Sequence, residues 1–218
     1  MMTKIKVLIV EDSLVVRELL KHIIGMDARF DVVAAVESAE EALALLDVVQ
    51  PDVISLDIRL PGMNGLDATL QIMAKRPTPI VVVAANVDDD ELNIAMNALR
   101  AGALAVVEKP VGVTNVAFES MALRICTQLA IMSQVKVVRQ GIDRGLRFGT
   151  AEPPVVARRP AQGYSLVGVV SSTGGPQALV QLLGNLGADF PLPILLVQHI
   201  TASFLEGFVS WLASVTPF

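Results

Sequence analysis

Strand-like and helix-like segments alternate through the first 118 residues, and this alternation limits the possible folds more than any other feature. Short apolar runs rich in β-branched residues predict five strands, at 6–10, 31–36, 51–57, 79–85 and 104–108. Amphipathic patterns between and after them predict helices, at about 13–25, 38–49, 64–75, 88–101 and from 114 into the 130s. Alternating elements of this kind form parallel sheets with right-handed crossovers. We therefore predict a doubly wound α/β domain with five parallel strands and helices on both faces.

A second α/β pattern follows a segment of different composition. Residues 139–163 are rich in glycine, proline and arginine, a composition typical of a linker. The later residues again predict strand, helix, strand and helix, at 165–170, about 176–186, 193–198 and from about 203. Because so short a unit does not easily cover both faces of a parallel sheet, we expect this second domain to be incomplete.

These patterns divide the chain into three parts. They are an N-terminal domain, a helix extension with a linker, and the truncated start of a second α/β parallel-sheet domain, at 1–125, 126–163 and 164–218. The middle part is basic, whereas the whole chain has a net charge of −5. The middle part therefore either contacts the acidic first domain or is a solvated linker, and we favour the linker.

The composition excludes several classes of protein. Hydrophobic residues make up 53% of the chain, yet no apolar run approaches the roughly 18 residues of a membrane-spanning helix. Lys4 and Lys6 lead directly into the first strand, so no signal peptide is indicated. A single cysteine, Cys126, excludes an internal disulfide framework, and a reducing cytoplasm fits best. No basic stripe with interleaved aromatic residues is present, which disfavours nucleic-acid binding.

Charged residues cluster at the predicted carboxyl ends of three strands. Glu11 and Asp12 follow the first strand, Asp57 ends the third, and Lys109 follows the fifth. Because parallel strands end at one edge of a sheet, these groups are expected to converge. Clustered carboxylates need compensating cations, and here Lys109 and an oxygen-seeking Mg²⁺ ion would provide them. Such a site suits phosphoryl transfer, with Asp57 as the nucleophile.

Each of these residues also has an ordinary structural explanation. Asp12 and Ser13 suit the start of the first helix, Asp57 a solvated loop, and Lys109 the position before a turn proline. The order and spacing of the whole set favour the functional interpretation over these separate explanations.

The sequence around these residues resembles the receiver domains of bacterial response regulators. The resemblance covers about residues 4–125, and its motifs are the segments 7–13, 57–65 and 108–110. It implies a flavodoxin-like fold, phosphorylation at Asp57, Mg²⁺ binding by Glu11, Asp12 and Asp57, and contact of Lys109 with the phosphoryl group. It also implies a cis bond before Pro110 and a sensor histidine kinase as the phosphodonor.

One departure from the receiver pattern affects signalling. Receivers usually carry serine or threonine at the end of the fourth strand, where the hydroxyl follows the phosphoryl group. This chain has Ala84, followed by Ala85 and Asn86. Since alanine has no hydrogen-bond donor in its side chain, we hypothesise that Asp57 still accepts phosphate but that coupling to the output is weakened or altered.

A second candidate site lies in the C-terminal part. Ser172 sits in a glycine-containing turn between a predicted strand and helix, near amide groups suited to stabilising an oxyanion. A serine nucleophile needs a base, and the chain contains two histidines. His22 belongs to the first helix and is expected on its surface, whereas His199 ends the strand at 193–198. The residue types alone leave three alternatives: a simple helix start, a phosphate-binding turn without the P-loop lysine, and a structural histidine.

The motifs around Ser172 and His199 favour catalysis. Segments 167–176 and 197–200, with Phe204 and Phe208 after them, resemble the opening of the chemotaxis-type protein-glutamate methylesterase domain. Ser171 occupies a position where alanine is commoner. The resemblance implies that Ser172 is the nucleophile and His199 the general base, without a cofactor. It implies hydrolysis of γ-glutamyl methyl esters on chemoreceptors, with glutamine deamidation as a related activity.

The resemblance leaves the third member of the triad unassigned. Neither Asp189 nor Glu206 matches the aspartate motif of the family. Because a triad enzyme without its carboxylate loses about 10⁴ in kcat, we expect this chain alone to be nearly inactive as an esterase and to be a fragment of a longer protein. The alternative is a stand-alone phosphoacceptor module with a vestigial output segment.

Overall fold

The computed structural model describes residues 3–85, 89–110, 115–137 and 163–218. The predicted five-stranded domain is confirmed, and its strands are β1 (Ile5–Val10), β2 (Phe30–Val36), β3 (Val53–Asp57), β4 (Ile80–Ala84) and β5 (Ala105–Glu108). All neighbouring strands pair in parallel, in the order β2-β1-β3-β4-β5. Each observed strand lies within two residues of its predicted start and end.

The helices of this N-terminal domain are α1 (Leu14–Met26), α2 (Ala39–Val49), α3 (Gly65–Lys75), α4 (Asp89–Arg100) and α5 (Asn115–Met132). Side-chain caps fix two of the helix starts. Ser38 accepts a hydrogen bond from the Glu41 amide at the start of α2, and Asn64 accepts one from the Asp67 amide at the start of α3. These side chains satisfy amide groups that have no partner within the helix.

Two apolar clusters cover the two faces of the sheet. On one face, α1 and α5 pack against β-strand residues such as Ile9 and Val83. On the other face, α2, α3 and α4 pack against residues such as Leu8 and Val82. The central strands β3 and β4 are buried along their whole length, as expected for parallel strands covered by helices on both sides.

The C-terminal region (residues 163–218) contains a second, smaller parallel sheet. Its elements are β6 (Val167–Ser171), α6 (Gly175–Leu186), β7 (Ile194–Gln198), a short 3₁₀ helix (Ala202–Phe204) and α7 (Leu205–Val215). Strands β6 and β7 pair in parallel, with Val170 opposite Val197. The prediction of a second, partial parallel sheet is therefore confirmed.

The C-terminal region packs on helix α4 of the N-terminal domain. Buried residues of α4, including Met96 and Leu99, belong to the same apolar cluster as Phe208 and Trp211. The Trp211 indole Nε1 donates a hydrogen bond of 3.2 Å to Asn97 Oδ1 on α4. The two parts of the chain are thus joined by an apolar contact that contains a specific polar pair.

One expectation is wrong, and others concern residues outside the described ranges. No cis peptide bond occurs among the described residues, so the expected cis bond before Pro110 is wrong. The trans form is the one that X–Pro bonds favour, by about 0.5–1 kcal/mol. The linker predicted at 139–163 lies almost entirely outside the described residues, as does Asn86. None of the helices in the described part of the chain is both long and apolar enough to cross a membrane.

Candidate functional site

The carboxyl ends of β1, β3 and β5 bring together the first set of predicted site residues. The Lys109 ammonium lies 2.7 Å from Asp57 Oδ2 and 3.1 Å from Glu11 Oε1. The side chains of Glu11 and Asp57 are each 1% exposed, whereas Asp12 is exposed beside them. The structure therefore places all four residues at one edge of the sheet, as the strand-end argument predicts.

The electrostatics of this cluster favour a bound cation. Burial raises the pKa of Glu11 to about 7, with the nearby Asp57 carboxylate as a further cause. Burial also raises the pKa of Asp57 above its usual range, although Lys109 opposes this shift. A pKa raised by burial means that the charged form is poorly compensated, which an additional positive charge would correct.

The geometry of the carboxylates fits a hard metal ion. One oxygen atom from each of Glu11, Asp12 and Asp57 lies within 4.8 Å of the others. Glu11 Oε2 is buried and has no hydrogen-bond partner. A buried carboxylate oxygen without a partner is costly, and Mg²⁺ prefers oxygen ligands of this kind. These residues therefore fit a divalent cation.

A glycine allows α3 to begin directly against the segment that follows Asp57. A Cβ atom at Gly65 would lie 2.6 Å from Ile58 Cα and 2.7 Å from the Asp57 carbonyl oxygen. The Gly65 amide instead donates a 3.0 Å hydrogen bond to the Ile58 carbonyl. The Arg59 amide donates to Asp57 Oδ1 at 3.2 Å, so this segment also orients the carboxylate.

Ala84 ends β4 close to the same cluster. Its side chain is 1% exposed, and its carbonyl oxygen accepts a 2.9 Å hydrogen bond from the Lys109 amide. The side chain presents a methyl group, which cannot donate a hydrogen bond to an oxygen. The departure noted in the sequence thus occurs at a buried position, adjacent to the strand that carries Lys109.

Strands β6 and β7 bring the second pair of predicted residues together. Ser172 follows β6, His199 follows β7, and Ser172 Oγ lies 3.3 Å from His199 Nδ1. The His199 amide donates to the Ser171 carbonyl at 2.9 Å, which ties the two strand ends together. Both side chains of the pair are exposed, and so is His22 on α1, as predicted.

The turn after Ser172 has the backbone conformation expected of its glycines. Gly174 has φ of 72°, a left-handed conformation that glycine adopts without a steric penalty. Helix α6 begins at Gly175, with Pro176 in its first turn. The amino-terminal end of a helix therefore lies immediately beyond Ser172, where its dipole favours negative charge.

A cavity of about 490 Å³ lies between the two parts of the chain. Ser172 and His199 line it from the C-terminal region, while Val106 of β5 and Arg124 and Gln128 of α5 line it from the N-terminal domain. The sequence did not indicate this juxtaposition, because it depends on how two separately folded units pack.

Sequence reasoning also missed Gln198, which makes three hydrogen bonds around the Ser172–His199 pair. Its position immediately before His199, within segment 197–200 that resembles the methylesterase family, is the feature of the sequence that could have indicated a role. The bonds themselves depend on the pairing of β6 with β7 and were not predictable from spacing.

Family comparisons divide the chain at the same place as the fold. Residues 7–117 match the response regulator receiver domain, and residues 167–218 match the CheB methylesterase family. The N-terminal domain resembles the crystal structure of the response regulator domain of Thermotoga maritima CheB. That match has a TM-score of 0.54 and 32% sequence identity, and it covers 62% of this chain and 99% of that one.

Curated relatives match both parts in one chain. The whole chain is 76% identical to the Paramagnetospirillum magneticum protein named "Protein-glutamate methylesterase/protein-glutamine glutaminase 2", of which it covers 62%. It is 44% identical over 95% of its length to a Nitrosospira multiformis protein of the same name without the number, of which it covers 59%. The chain thus spans about 60% of these relatives. It belongs to the family of response regulators in which a receiver domain precedes a CheB methylesterase domain.

Proposed function

We propose that the N-terminal domain is a phosphoacceptor whose state controls a hydrolase formed with the C-terminal region. The observation that carries the first half is the buried cluster in which Lys109 contacts both Glu11 and Asp57. Asp57 is the proposed phosphorylation site, and a sensor histidine kinase is the proposed phosphodonor. Glu11, Asp12 and Asp57 would hold Mg²⁺, which supplies charge compensation for the transferred phosphoryl group.

The protein groups have separate roles in this proposal. Asp57, the carboxylate at the end of the central strand β3, attacks the phosphorus atom of the donor's phosphohistidine through Oδ. The bond from phosphorus to the donor imidazole nitrogen breaks, and the donor histidine leaves. Lys109 lies on the same side and offers its ammonium to an oxygen of the incoming phosphoryl group, which lowers the cost of the added negative charge. The buried position of Asp57 restricts the access of water to the acyl phosphate.

Phosphorylation is tested with acetyl phosphate and Mg²⁺, using intact mass and Phos-tag gels. The wild-type chain is expected to gain one acyl phosphate, and Asp57→Asn is expected to gain none. The matched control is Asp31→Asn, which changes an exposed aspartate on the edge strand β2 and should leave the reaction unchanged. An unmodified wild-type chain that is folded and binds Mg²⁺ would contradict the proposal.

The second half of the proposal assigns ester hydrolysis to Ser172 and His199. The 3.3 Å approach of Ser172 Oγ to His199 Nδ1 carries it. Ser172 Oγ attacks the ester carbonyl and its proton passes to Nδ1. The imidazolium then returns that proton to the leaving methoxide, which departs as methanol. Water, deprotonated by the same nitrogen, hydrolyses the acyl-enzyme and frees Ser172.

The proposed substrates are γ-glutamyl methyl esters on the cytoplasmic parts of chemoreceptors, with glutamine deamidation as a related activity. The names of the curated relatives support glutamate methyl esters and glutamine as the groups acted on, and the resemblance to chemotaxis-type methylesterases is the reason for proposing chemoreceptors. A cytoplasmic location follows from these partners. Because the N-terminal domain lines the cavity that contains Ser172 and His199, phosphorylation at Asp57 is proposed to control access to the pair.

The esterase proposal is best tested in a chimaera. Residues 1–218 of this chain are joined to the part of the Paramagnetospirillum magneticum relative that the chain does not cover, and methanol release from methylated chemoreceptor fragments is measured. Ser172→Ala and His199→Ala are expected to abolish release, whereas Ser210→Ala, at an exposed position of α7, is not. Undiminished release by Ser172→Ala would refute the assignment.

The isolated chain is proposed to hydrolyse esters very slowly. Neither Asp189 nor Glu206 matches the aspartate that orients the histidine in this family. A triad enzyme without that carboxylate loses about 10⁴ in kcat. We propose that the chain divides into 1–125, 126–163 and 164–218. The receiver is then a separate domain, which could accept phosphate without the C-terminal region. A stand-alone phosphoacceptor remains the second candidate, and the cluster around Asp57 favours it if the chimaera releases no methanol.

A further inference from the structure

The amide of Gln198 lies between the turn that carries Ser172 and the strand that leads to His199. Its Oε1 accepts a 2.5 Å hydrogen bond from the Ser171 hydroxyl. Its Nε2 donates to the carbonyl oxygens of Ser172 and His199, each at 3.0 Å. One side chain therefore contacts the backbone of both members of the pair and the residue that precedes Ser172.

We propose that Gln198 is a positioning residue, held by Ser171, that fixes Ser172 Oγ against His199 Nδ1 for the hydrolysis proposed above, on which this inference rests. Each amide hydrogen of Nε2 binds one carbonyl, so the separation of the two backbones is set by the width of a single amide group. The hydrogen bonds of Gln198 go to Ser171 Oγ and to two backbone carbonyls, so its effect on Ser172 Oγ and His199 Nδ1 passes through the backbone.

The carbonyl oxygens of Ser172 and His199 determine which way the Gln198 amide faces, and Ser171 then holds it there. An amide group has nearly the same shape in its two orientations, so its neighbours must select one of them. The two carbonyls can only accept, so they select the orientation in which Nε2 faces them. The Ser171 hydroxyl, which can donate or accept, then donates to Oε1. An alanine in place of Ser171 keeps this orientation but leaves Oε1 without that donor.

The backbone next to this amide leaves room for it. A Cβ atom at Gly175 would collide with Gln198 Oε1 and would lie 2.9 Å from Ser171 Oγ. Glycine at the first residue of α6 thus allows the helix to approach the amide closely. The Gly175 amide also donates to the Ser172 carbonyl at 2.8 Å, so that carbonyl is held from two sides.

The test uses three substitutions in the 218-residue chain and one matched control. Gln198→Met keeps the length of the side chain and removes all three hydrogen bonds. Gln198→Glu keeps the acceptor for Ser171 but removes both donors, and Ser171→Ala removes the donor alone. The control is Gln181→Met, which makes the same exchange at an exposed position of α6.

Two measurements are made on each variant. Nitrogen-15 NMR reports which ring nitrogen of neutral His199 carries the proton, and the exposed His22 is an internal reference because the chain has two histidines. Intact mass follows the rate at which a fluorophosphonate modifies Ser172 across a range of pH. A role limited to fold stability would change the melting temperature without changing the tautomer or this rate in the folded state.

In the wild type, Nδ1 is expected to be unprotonated, because the proposed base must accept the proton of Ser172 Oγ, which lies 3.3 Å away. Gln198→Met and Gln198→Glu are expected to lose this preference and to react about 10 to 100 times more slowly, because small displacements of reacting groups have effects of that size. Ser171→Ala is expected to slow the reaction by about threefold to tenfold, and Gln181→Met by less than about twofold. Wild-type tautomer and rate in folded Gln198→Met would overturn the inference.

The outcomes separate this inference from the proposed hydrolysis. Undiminished methanol release by the Ser172→Ala chimaera would contradict the hydrolytic role of Ser172, and the tautomer of His199 in the 218-residue chain would then decide the positioning role alone. If both Gln198 variants fail to fold, Ser171→Ala decides it: an unchanged tautomer with an unchanged rate overturns the inference, and a loss of either supports it.

Discussion

The strands of the two sheets are similarly apolar, but different layers surround the two sheets. Strands β3 and β4 are buried on both faces, whereas β6 and β7 alternate between half-buried and exposed residues. Val170 is 81% exposed and Leu195 is 61% exposed, although both lie in strands as apolar as those of the first sheet. An apolar strand thus indicates a sheet, but its burial depends on which layers pack against it.

The two candidate sites differ in the same way. Glu11 and Asp57 are nearly inaccessible and pair with Lys109, while Ser172 and His199 are exposed at the wall of a cavity. In the first site the pKa values respond to burial. In the second, function depends on geometry and on hydrogen bonds from neighbours such as Gln198. Substitutions of the buried carboxylates should therefore change stability as well as chemistry, whereas substitutions around the exposed pair should act mainly through the positions of the reacting atoms.

The largest difference is expected between two leucines on the two sheets. Leu56→Ala, at a fully buried position of β3, should lower the free energy of unfolding by about 2–5 kcal/mol. Leu195→Ala removes the same atoms from an exposed position of β7 and should change it by less than about 0.5 kcal/mol. Urea unfolding followed by circular dichroism measures both. Equal losses would show that the outer face of β7 is covered in solution.

Glu11 should make the stability of the first domain fall as the pH rises. Because its pKa is raised from 4.5 to about 7 in the fold, the fold favours the protonated form. The contribution of protonated Glu11 to the free energy of unfolding is fully present below pH 4.5 and is lost as the pH rises through about 7. The change is at most about 3 kcal/mol.

Urea midpoints from pH 4.5 to 8 in EDTA test this prediction against Glu11→Gln. The variant cannot titrate at this position, so the difference in stability between the two proteins should shift in favour of Glu11→Gln as the pH rises. Glu119→Gln changes an exposed glutamate of α5 and should keep the wild-type profile. Parallel profiles for wild type and Glu11→Gln would show that Glu11 is not the group responsible.

The hydrogen bond between Trp211 and Asn97 should contribute measurably to the stability of the contact between the two parts of the chain. Asn97→Ala leaves the Trp211 indole N–H, in a side chain that is 2% exposed, without its acceptor. An unsatisfied buried donor costs about 1–3 kcal/mol, so unfolding should require about that much less free energy. Trp211 is the single tryptophan of the chain, and its emission reports the change directly. Asn93→Ala, at an exposed position of the same helix, should alter neither quantity.

These comparisons also explain what the sequence could predict. Strand ends of a parallel sheet meet at one edge, so the proximity of Glu11, Asp57 and Lys109 could be predicted from the sequence. The same rule connected Ser172 with His199. Local patterns therefore predicted the order of the elements, and strand ends together with the family motifs indicated the candidate residues that the structure brings together.

The remaining features depend on contacts between distant segments. The Gln198 amide binds backbone groups across the pairing of β6 with β7, and the Trp211–Asn97 bond joins residues 114 positions apart. The hydrophobic periodicity of a sequence does not predict contacts of this kind. The sequence predicted an incompletely covered second sheet but not which residues of β7 are exposed, because apolar residues on both faces of a strand do not indicate what packs against each face.

The smallest effect is expected at Ala84, and it concerns signalling more than stability. Ala84→Ser places a hydroxyl at the buried end of β4, with a cost of about 1 kcal/mol when it has no partner. With Mg²⁺ and beryllofluoride, a stable mimic of the phosphoryl group, the hydroxyl gains an acceptor. One hydrogen bond contributes about 0.5–1.5 kcal/mol, so the variant should bind the mimic about two- to tenfold more tightly than the wild type.

Trp211 emission during the same titration tests whether this hydroxyl restores coupling. If the missing donor weakens transmission, beryllofluoride should change the emission more in Ala84→Ser than in the wild type, because α4, which carries Asn97, directly follows β4 in the chain. Ala85→Ser is the neighbouring control and should behave as the wild type. Tighter binding without a larger emission change would mean that the hydroxyl contributes affinity alone, and that transmission from Asp57 to the α4–α7 contact follows another route, such as the Lys109 amide bonded to the Ala84 carbonyl.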